Sequence, residues 1–339
     1  MGNIITSLVI ESGVTCIGDN AFYGCSNIAG NVTVPNSVTS IGEDAFYQCG
    51  GITSVTFSDV LTSIGAGTFD HCTGITSVTL PNSVISIGDY AFLGCSGITS
   101  VTIPGLVASI GKCPFYTCNA LTAINVDESN QHFSSEDGVL FDKSKNALKE
   151  CPVGKSGDYV MPNTVSSIGF YAFVGCRSLT SVTIPASISA IDTSAFANCT
   201  GLISMTCLNP DPSSIALGTM VFQGGTTNCE LYVPFGSYSA YHDAPQWWDF
   251  RPITELLPTG IKNAEIPNLK LFPNPVKDDL CITAESPINK VEIYSTDGEM
   301  LMQKNNFAGQ MNVSSLDKGV YMVKVYTKQG VAAMKMIKN

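Results

Sequence analysis

The feature that most constrains this 339-residue chain is a nine-residue phrase that occurs seven times. It reads IGDNAFYGC at 17–25 and IGEDAFYQC at 41–49. Successive copies begin 23 or 24 residues apart, except for one step of 58 residues. The phrase begins at Ile17, Ile41, Ile64, Ile87, Ile110, Ile168 and Ile191, and Ile215 is a looser eighth member. A fixed period in the twenties predicts a solenoid of stacked repeats.

A strand-like segment precedes each phrase, for example ITSVTF at 52–57 and LTSVTI at 179–184. Written as L-x-x-L-x-L, it is the strand signature of leucine-rich repeats. Alternation places Val55 and Phe57 on one face and Thr56 on the other. The pattern therefore predicts an outward row of hydroxyls on the sheet: Thr33, Thr56, Thr79, Thr102, Thr183 and Thr206.

A single repeat buries too little apolar surface to offset the entropy of ordering its 23 or so residues. Stacked neighbours share that burial and add hydrogen bonds between repeats. The recurrence of the phrase therefore has a structural reason that requires no active site.

Seven of the 13 cysteines fall at the last position of the phrase. Parallel stacking places their Cβ atoms roughly 5 Å apart, whereas a disulfide requires about 3.8 Å. We therefore expect free thiols that behave as small buried hydrophobes.

The long step accommodates an insertion at 127–160, in which GVLFD and ALKEC flank DKSKN. This arrangement predicts a hairpin with a polar turn. Its basic residues Lys143, Lys145 and Lys149 are candidate partner-binding residues, because insertions on a solenoid often form the binding feature. A surface hairpin without a role is the alternative.

The pattern changes at 229–256, a segment rich in aromatic residues. A solenoid must cover its last open core, so we interpret this segment mainly as a cap on the repeats at 1–228. A sugar-stacking platform at Trp247 and Trp248 is the alternative.

Residues 257–268 have the composition of a linker, and 269–339 alternate polar and apolar residues. Turn signals occur at Asp297-Gly298 and Gln329-Gly330. The pattern predicts a small immunoglobulin-like β-sandwich after the leucine-rich-repeat solenoid.

Charge and hydropathy exclude several classes of protein. Residues 1–260 carry 7 basic and 20 acidic side chains, a net charge of −13, which argues against nucleic acid as a partner. No apolar stretch is long enough to predict a transmembrane segment. The first ten residues lack the basic region and cleavage site of a signal peptide, so we expect a chain trimmed at its N-terminus.

The sequence predicts no catalytic residue, no cofactor and no metal site. The three histidines are not spaced as metal ligands, and no nucleophile-elbow or phosphate-loop motif occurs. His71 lies beside the repeat cysteine Cys72, which favours a place in the core or at its rim. An acidic stripe at Asp19, Glu43, Asp44 and Asp89 is a weak cation site or a solvated face.

The repeated phrase with its LTSVTIP strand resembles the BspA-like class of leucine-rich repeats over about residues 5–256. The stretch LKLFPNPVKDDL…VEIYSTDGE…GVYMVKV at 269–339 resembles the C-terminal sorting domain of the Bacteroidetes type IX secretion pathway. These resemblances imply a secreted or outer-membrane-anchored surface protein that contacts the secretion machinery through its C-terminal domain.

The resemblance to the repeat class also implies adhesion. We expect a non-enzymatic protein that binds host matrix or bacterial surface proteins or glycans through repeated weak contacts. The alternatives are a passive spacer or coat protein and an accessory module of a carbohydrate-processing system.

Overall fold

The computed structural model describes residues 5–226, 228–256, 266–295 and 299–339. The described chain divides into two compact units, residues up to 231 together with 244–252, and residues 232–243 together with 253–339. The predicted Asp297-Gly298 turn and residues 257–265 of the 257–268 linker lie outside the described residues. Among the described residues, no helix combines the length and the apolar character needed to cross a bilayer.

The first unit is built from short strands, which are numbered here in chain order. Its first nine strands precede the insertion: β1 (Cys16–Ile17), β2 (Gly30–Thr33), β3 (Ser40–Ile41), β4 (Ile52–Thr56), β5 (Ser63–Ile64), β6 (Ser86–Ile87), β7 (Ser100–Ile103), β8 (Ser109–Ile110) and β9 (Ala123–Val126). The other strands are β10 (Phe133–Glu136), β11 (Val139–Asp142), β12 (Ala147–Glu150), β13 (Gly157–Val160), β14 (Ser167–Ile168), β15 (Leu179–Ile184), β16 (Ala190–Ile191), β17 (Ser204–Cys207) and β18 (Ala216–Leu217). Strand β19 (Glu230–Val233) begins in the first unit and ends in the second. Short 3-10 helices span Pro212–Ser214 and Trp247–Asp249.

Most repeats form one coil with a longer strand and a two-residue strand, each of which pairs in parallel with its equivalent in a neighbouring coil. The two-residue strands β1, β3, β5, β6 and β8 form one ladder in that order, and Ile87 lies opposite Ile110. The longer strands pair as β2-β4, β7-β9 and β13-β15-β17-β19. The predicted solenoid of roughly 23-residue repeats is therefore confirmed.

The glycine at the second position of the phrase is required for a steric reason. A Cβ atom built on Gly88 would lie 2.4 Å from the backbone N of Ala66 and 2.6 Å from the backbone C of Gly65. Real side chains do not approach a backbone so closely, so only glycine lets adjacent coils stack at this level.

The phenylalanines of the phrase stack on one another through the core. Phe92 is fully buried, and its ring centroid lies 5.4 Å from that of Phe69 and 5.6 Å from that of Phe115. A second run joins Phe173, Phe196 and Phe222 beyond the insertion. These rings are the largest repeated contribution to the core.

Five of the seven repeat cysteines make a recurring hydrogen bond that stacking alone does not predict. The thiol of Cys72 donates to the carbonyl of Phe46 at 3.0 Å, and that of Cys95 donates to the carbonyl of Phe69 at 3.2 Å. Each thiol thus reaches the phenylalanine of the preceding coil. All 13 cysteines are free thiols, as expected.

We expect thiol-specific reagents to distinguish two groups of cysteines. Ten are buried, and burial raises the pKa of Cys49 to about 11 and that of Cys113 to about 12, which keeps them as unreactive thiols. Only Cys16, Cys25 and Cys281 are exposed or half-exposed. Titration of the native chain with a chromogenic disulfide at mildly alkaline pH should therefore show three fast thiols, and 13 in denaturant. Rapid reaction of the buried group would contradict the structure.

The insertion does form the predicted hairpin, because β11 and β12 pair antiparallel with a bulge after Leu140. It is not a surface decoration, however. Phe141 and Leu148 are fully buried, and Leu148 of β12 lies opposite Ile168 of β14. The insertion is therefore not confined to the surface, because β12 supplies a rung of the ladder. Its role in binding a partner stays a prediction.

The last coil differs from the predicted register. The partner of Ile191 is Leu217, and Ile215 instead ends the 3-10 helix Pro212–Ser214. Two extra residues are accommodated in that helix, so the loose match at Ile215 was wrong as a repeat position.

The second unit holds a small β-sandwich. The second unit contains the helix α1 (Tyr238–Asp243) and the strands β20 (Ile253–Glu255), β21 (Lys270–Phe272), β22 (Asp279–Thr283), β23 (Ile288–Tyr294), β24 (Met300–Asn305), β25 (Gln310–Asn312), β26 (Gly319–Thr327) and β27 (Gly330–Lys338). Antiparallel sheets of order β21-β22-β25 and β24-β23-β26-β27 share one core that includes Leu280, Val291 and Met336. The hairpin predicted at Gln329-Gly330 joins β26 to β27. The predicted sandwich is confirmed.

Candidate functional site

The outward threonines at one level of the coils form a polar surface, here called the hydroxyl face: Thr33, Thr56, Thr79, Thr102, Thr183 and Thr206. All of them except Thr79 lie on the longer strands. The first four are exposed and the last two are half-buried. Val55 and Val101 on the same strands point into the core. Strand alternation therefore positions the hydroxyls as the sequence predicts.

The hydroxyl face contains a groove where one coil departs from the ladder. Residues 75–80 form no strand and keep only a single bridge, between Ser54 and Ser77. The resulting groove has a volume of about 420 Å³. This groove is here called the face groove, and its exposed polar lining comprises Thr76, Ser77, Thr79, Asn82, Thr99, Ser100, Thr102 and Asp127.

Asp127 gives the face groove a fixed negative charge. Its Oδ1 accepts hydrogen bonds from Ser129, one from the backbone N at 2.9 Å and one from the hydroxyl at 2.5 Å. These bonds hold the pKa of Asp127 below its usual value. The groove thus offers hydroxyls, an amide and a carboxylate, which are groups suited to hydrogen bonding with a polar polymer.

The three lysines singled out from the sequence do not form one patch with a shared partner. Lys143 donates to the carbonyl of Asn130, and Lys145 pairs with Glu136. Lys149 is exposed on β12. Two of these ammonium groups therefore already have partners within the insertion.

The two tryptophans have different surroundings. Trp247 is 1% exposed, and its ring centroid lies 4.7 Å from that of Phe222, on which Phe250 also packs at 5.0 Å. Its ring offers no face to a sugar, because it covers the last phenylalanine of the core. Trp248 is 50% exposed and is the member of the pair that a partner could contact.

The acidic stripe takes part in the stacking of the coils. Oδ1 of Asp19 accepts a bond from the backbone N of Glu43 at 2.8 Å, and Oδ1 of Asp89 accepts one from Lys112 N at 2.7 Å. His71 lies half-exposed at the rim beside Asp70. In the described part of the chain, no cluster of metal-ligating side chains is found.

Sequence reasoning missed a cavity of about 540 Å³ where the insertion meets the regular coils. Glu150 lies in its wall and is 7% exposed. A signal was present in the ALKEC segment, since Glu150 is two residues after Leu148 and must share its inward face. A carboxylate on the buried face of a strand is unusual and indicates a special site.

The stacked parallel coils and the antiparallel sandwich define a leucine-rich-repeat type of solenoid protein with a C-terminal accessory domain. Six copies of the BspA type leucine-rich repeat region match residues 1–122 and 144–240. The chain belongs to this family of BspA-type repeat proteins. The secretion system C-terminal sorting domain matches residues 270–339, which implies export to the cell surface or secretion.

A solved structure supports this fold. A leucine-rich repeat protein from Eubacterium ventriosum matches with 26% identity and a TM-score of 0.60 over 68% of this chain. The match spans 60% of the length of that protein. The pneumococcal vaccine antigen PcpA matches with 17% identity and a TM-score of 0.48, over 75% of this chain and 88% of that one. No curated protein matches the sequence.

Proposed function

We propose that this protein is a non-enzymatic adhesion module that binds surface glycans or proteins through its hydroxyl face. The observation that carries the proposal is the face groove, a concave polar site on the outward side of the repeated strands. The sorting domain supports a location in which such a surface meets host or bacterial polymers.

The chemistry of the face groove favours a glycan over a protein. Its threonines both donate and accept hydrogen bonds, and Asn82 and Asp127 extend the range of partners to sugar hydroxyls. Tight protein interfaces usually depend on Trp, Tyr or Arg, and none of these lines the groove. Threonines on neighbouring coils repeat about every 5 Å, which suits a polymer held by several weak contacts.

We expect two arginines in the face groove to weaken this binding. Thr79→Arg with Thr102→Arg fills the groove with side chains that cannot accept hydrogen bonds, so saturable binding of the full chain to immobilised glycans should fall at least about tenfold. Surface plasmon resonance at physiological salt, with matrix proteins as a second set of surfaces, measures the change.

The matched control places two arginines in the same coils but outside the hydroxyl face. Ile85 and Leu106 are 48% and 63% exposed, so Ile85→Arg with Leu106→Arg adds the same charge and should bind as the wild type does. Equal loss in both variants would point to charge alone and overturn the role of the groove. A wild-type chain without saturable binding to any surface would favour the passive spacer.

A further inference from the structure

The insertion interrupts the ladder of two-residue strands. β8 is the last strand of the first ladder, and β14 continues in a second sheet of order β10-β11-β12-β14-β16-β18. The cavity of about 540 Å³ lies at this break and is lined by residues of β8, β12 and the coil that contains β14. Its size falls within the range of small-molecule sites.

The break in the ladder leaves backbone carbonyls in one wall of the cavity without donors within the described part of the chain. In the preceding coil, the carbonyls of Ile85 and Ile87 accept bonds from the backbone N of Ala108 and Gly111, at 2.8 and 2.9 Å. The equivalent carbonyls one coil later belong to Ala108 and Ile110, which line the cavity. No donor among the described residues reaches either carbonyl.

Glu150 supplies a further acceptor. The backbone N–H of Phe115 favours the charged form of its carboxylate. The equivalent N–H of Phe92 instead donates to the carbonyl of Pro114 in the next coil. Its Oε2 is buried and has no hydrogen-bond partner among the described residues. Burial raises the pKa of Glu150 to about 8. An orphaned carboxylate oxygen in a cavity wall is costly without a donor from elsewhere.

The rest of the wall is apolar with charged groups at its exposed side. Phe133, Leu140 and Phe170 contribute hydrocarbon surface. Asp89 and Asp192 are exposed lining residues. The cavity therefore combines an acceptor-rich end with surface on which an aliphatic chain can pack.

From this geometry we propose that the cavity binds an organic cation, an ammonium or guanidinium group on a short aliphatic stem. The N–H groups of the cation donate to Oε2 of Glu150 and to the free carbonyls of Ala108 and Ile110. The stem packs against Phe133, Leu140 and Phe170. This site is separate from the face groove, so the two proposals stand or fall independently.

The charges around the cavity favour a cation over an anion. Lys112 and Lys149 line the cavity, but both are exposed, and the ammonium of Lys112 lies 5.5 Å from the ring centroid of Phe170. The carboxylates of Asp89 and Asp192 also line the cavity and balance the two lysines in number. The deep and unpaired group is the acceptor Glu150, and an ammonium or guanidinium is the donor that satisfies a buried carboxylate best.

Three probes of equal length test the proposal by calorimetry on the full chain at pH 9, above the pKa of about 8 at which Glu150 becomes a carboxylate. Cadaverine carries two ammonium groups, pentane-1,5-diol is neutral and glutarate is anionic. We expect saturable binding of cadaverine that is at least about tenfold tighter than binding of the diol, because charge-assisted bonds exceed neutral ones. Tighter glutarate binding, equal binding of the diol or no binding of cadaverine would each overturn the proposal.

Glu150→Gln should weaken cadaverine binding at least about tenfold, because the amide keeps the shape and loses the charge. The matched control Glu128→Gln alters an exposed carboxylate of the same insertion and should leave binding unchanged. Circular dichroism of both variants separates loss of the site from loss of the fold, and the wild-type comparison of the three probes stands even if Glu150→Gln unfolds. Unchanged binding by a folded Glu150→Gln variant would overturn the assignment.

A capped peptide with one lysine identifies the source of the cation. Binding of cadaverine alone supports a free amine as the natural ligand, whereas binding of the peptide as well supports a lysine side chain of a protein partner.

Discussion

Replacing Phe92 with alanine is expected to lower the free energy of unfolding by about 3–5 kcal/mol. Phe92 is fully buried and stacks between Phe69 and Phe115. The substitution leaves a cavity that three coils share, and the rigid ladder on either side resists collapse. Urea denaturation followed by circular dichroism measures the change.

The control for this result is a truncation of an exposed apolar side chain. Ile85 is 48% exposed, so Ile85→Ala should change stability by less than about 0.5 kcal/mol. Because coils contact only their neighbours, hydrogen exchange in the Phe92 variant should rise first in the coils around it. Equal effects of both substitutions would contradict a continuous phenylalanine column.

Phe141→Ala is expected to destabilise the solenoid by a similar amount, about 3–5 kcal/mol. Phe141 is fully buried in β11 and lies opposite Leu148 of β12, which in turn lies opposite Ile168 of β14. Loss of its packing should therefore loosen the regular coils as well as the insertion. Thermal unfolding and hydrogen exchange at β14 measure both effects.

Lys149→Ala is the control within the same insertion, because Lys149 is exposed on β12 and its removal should cost less than about 0.5 kcal/mol. If Phe141→Ala left exchange at β14 unchanged, the insertion would be independent of the ladder and the pairing described here would be wrong.

The repeat predicted the main elements because period and alternation are local properties of the chain. Ile41, Phe46 and Cys49 recur at one level, so their burial follows from stacking without knowledge of any long-range contact. The outward threonines and the free thiols follow from the same argument. The sandwich follows from strand alternation in the last 70 or so residues.

Features outside the period were predicted less well. The hairpin of the insertion was recognised from its turn, but its burial was not, since a local pattern does not reveal which neighbour a hairpin pairs with. The sequence assigned Ile215 to the repeat position that Leu217 occupies in the structure. This error has the same cause, because the register depends on the 3-10 helix before Leu217. The candidates Trp247 and Trp248 are adjacent in sequence and differ in exposure, because only Trp247 of the two stacks against Phe222.

By itself, the sequence determined the solenoid, its core positions, its hydroxyl face and the class of the C-terminal domain. Each of these depends on residues within one repeat or one hairpin, where spacing dictates which side chains share a face. Tertiary structure alone decided the face groove and the cavity beside Glu150. Both arise where the ladder is interrupted, and a missing pairing between coils leaves free hydrogen-bonding groups that no local pattern records.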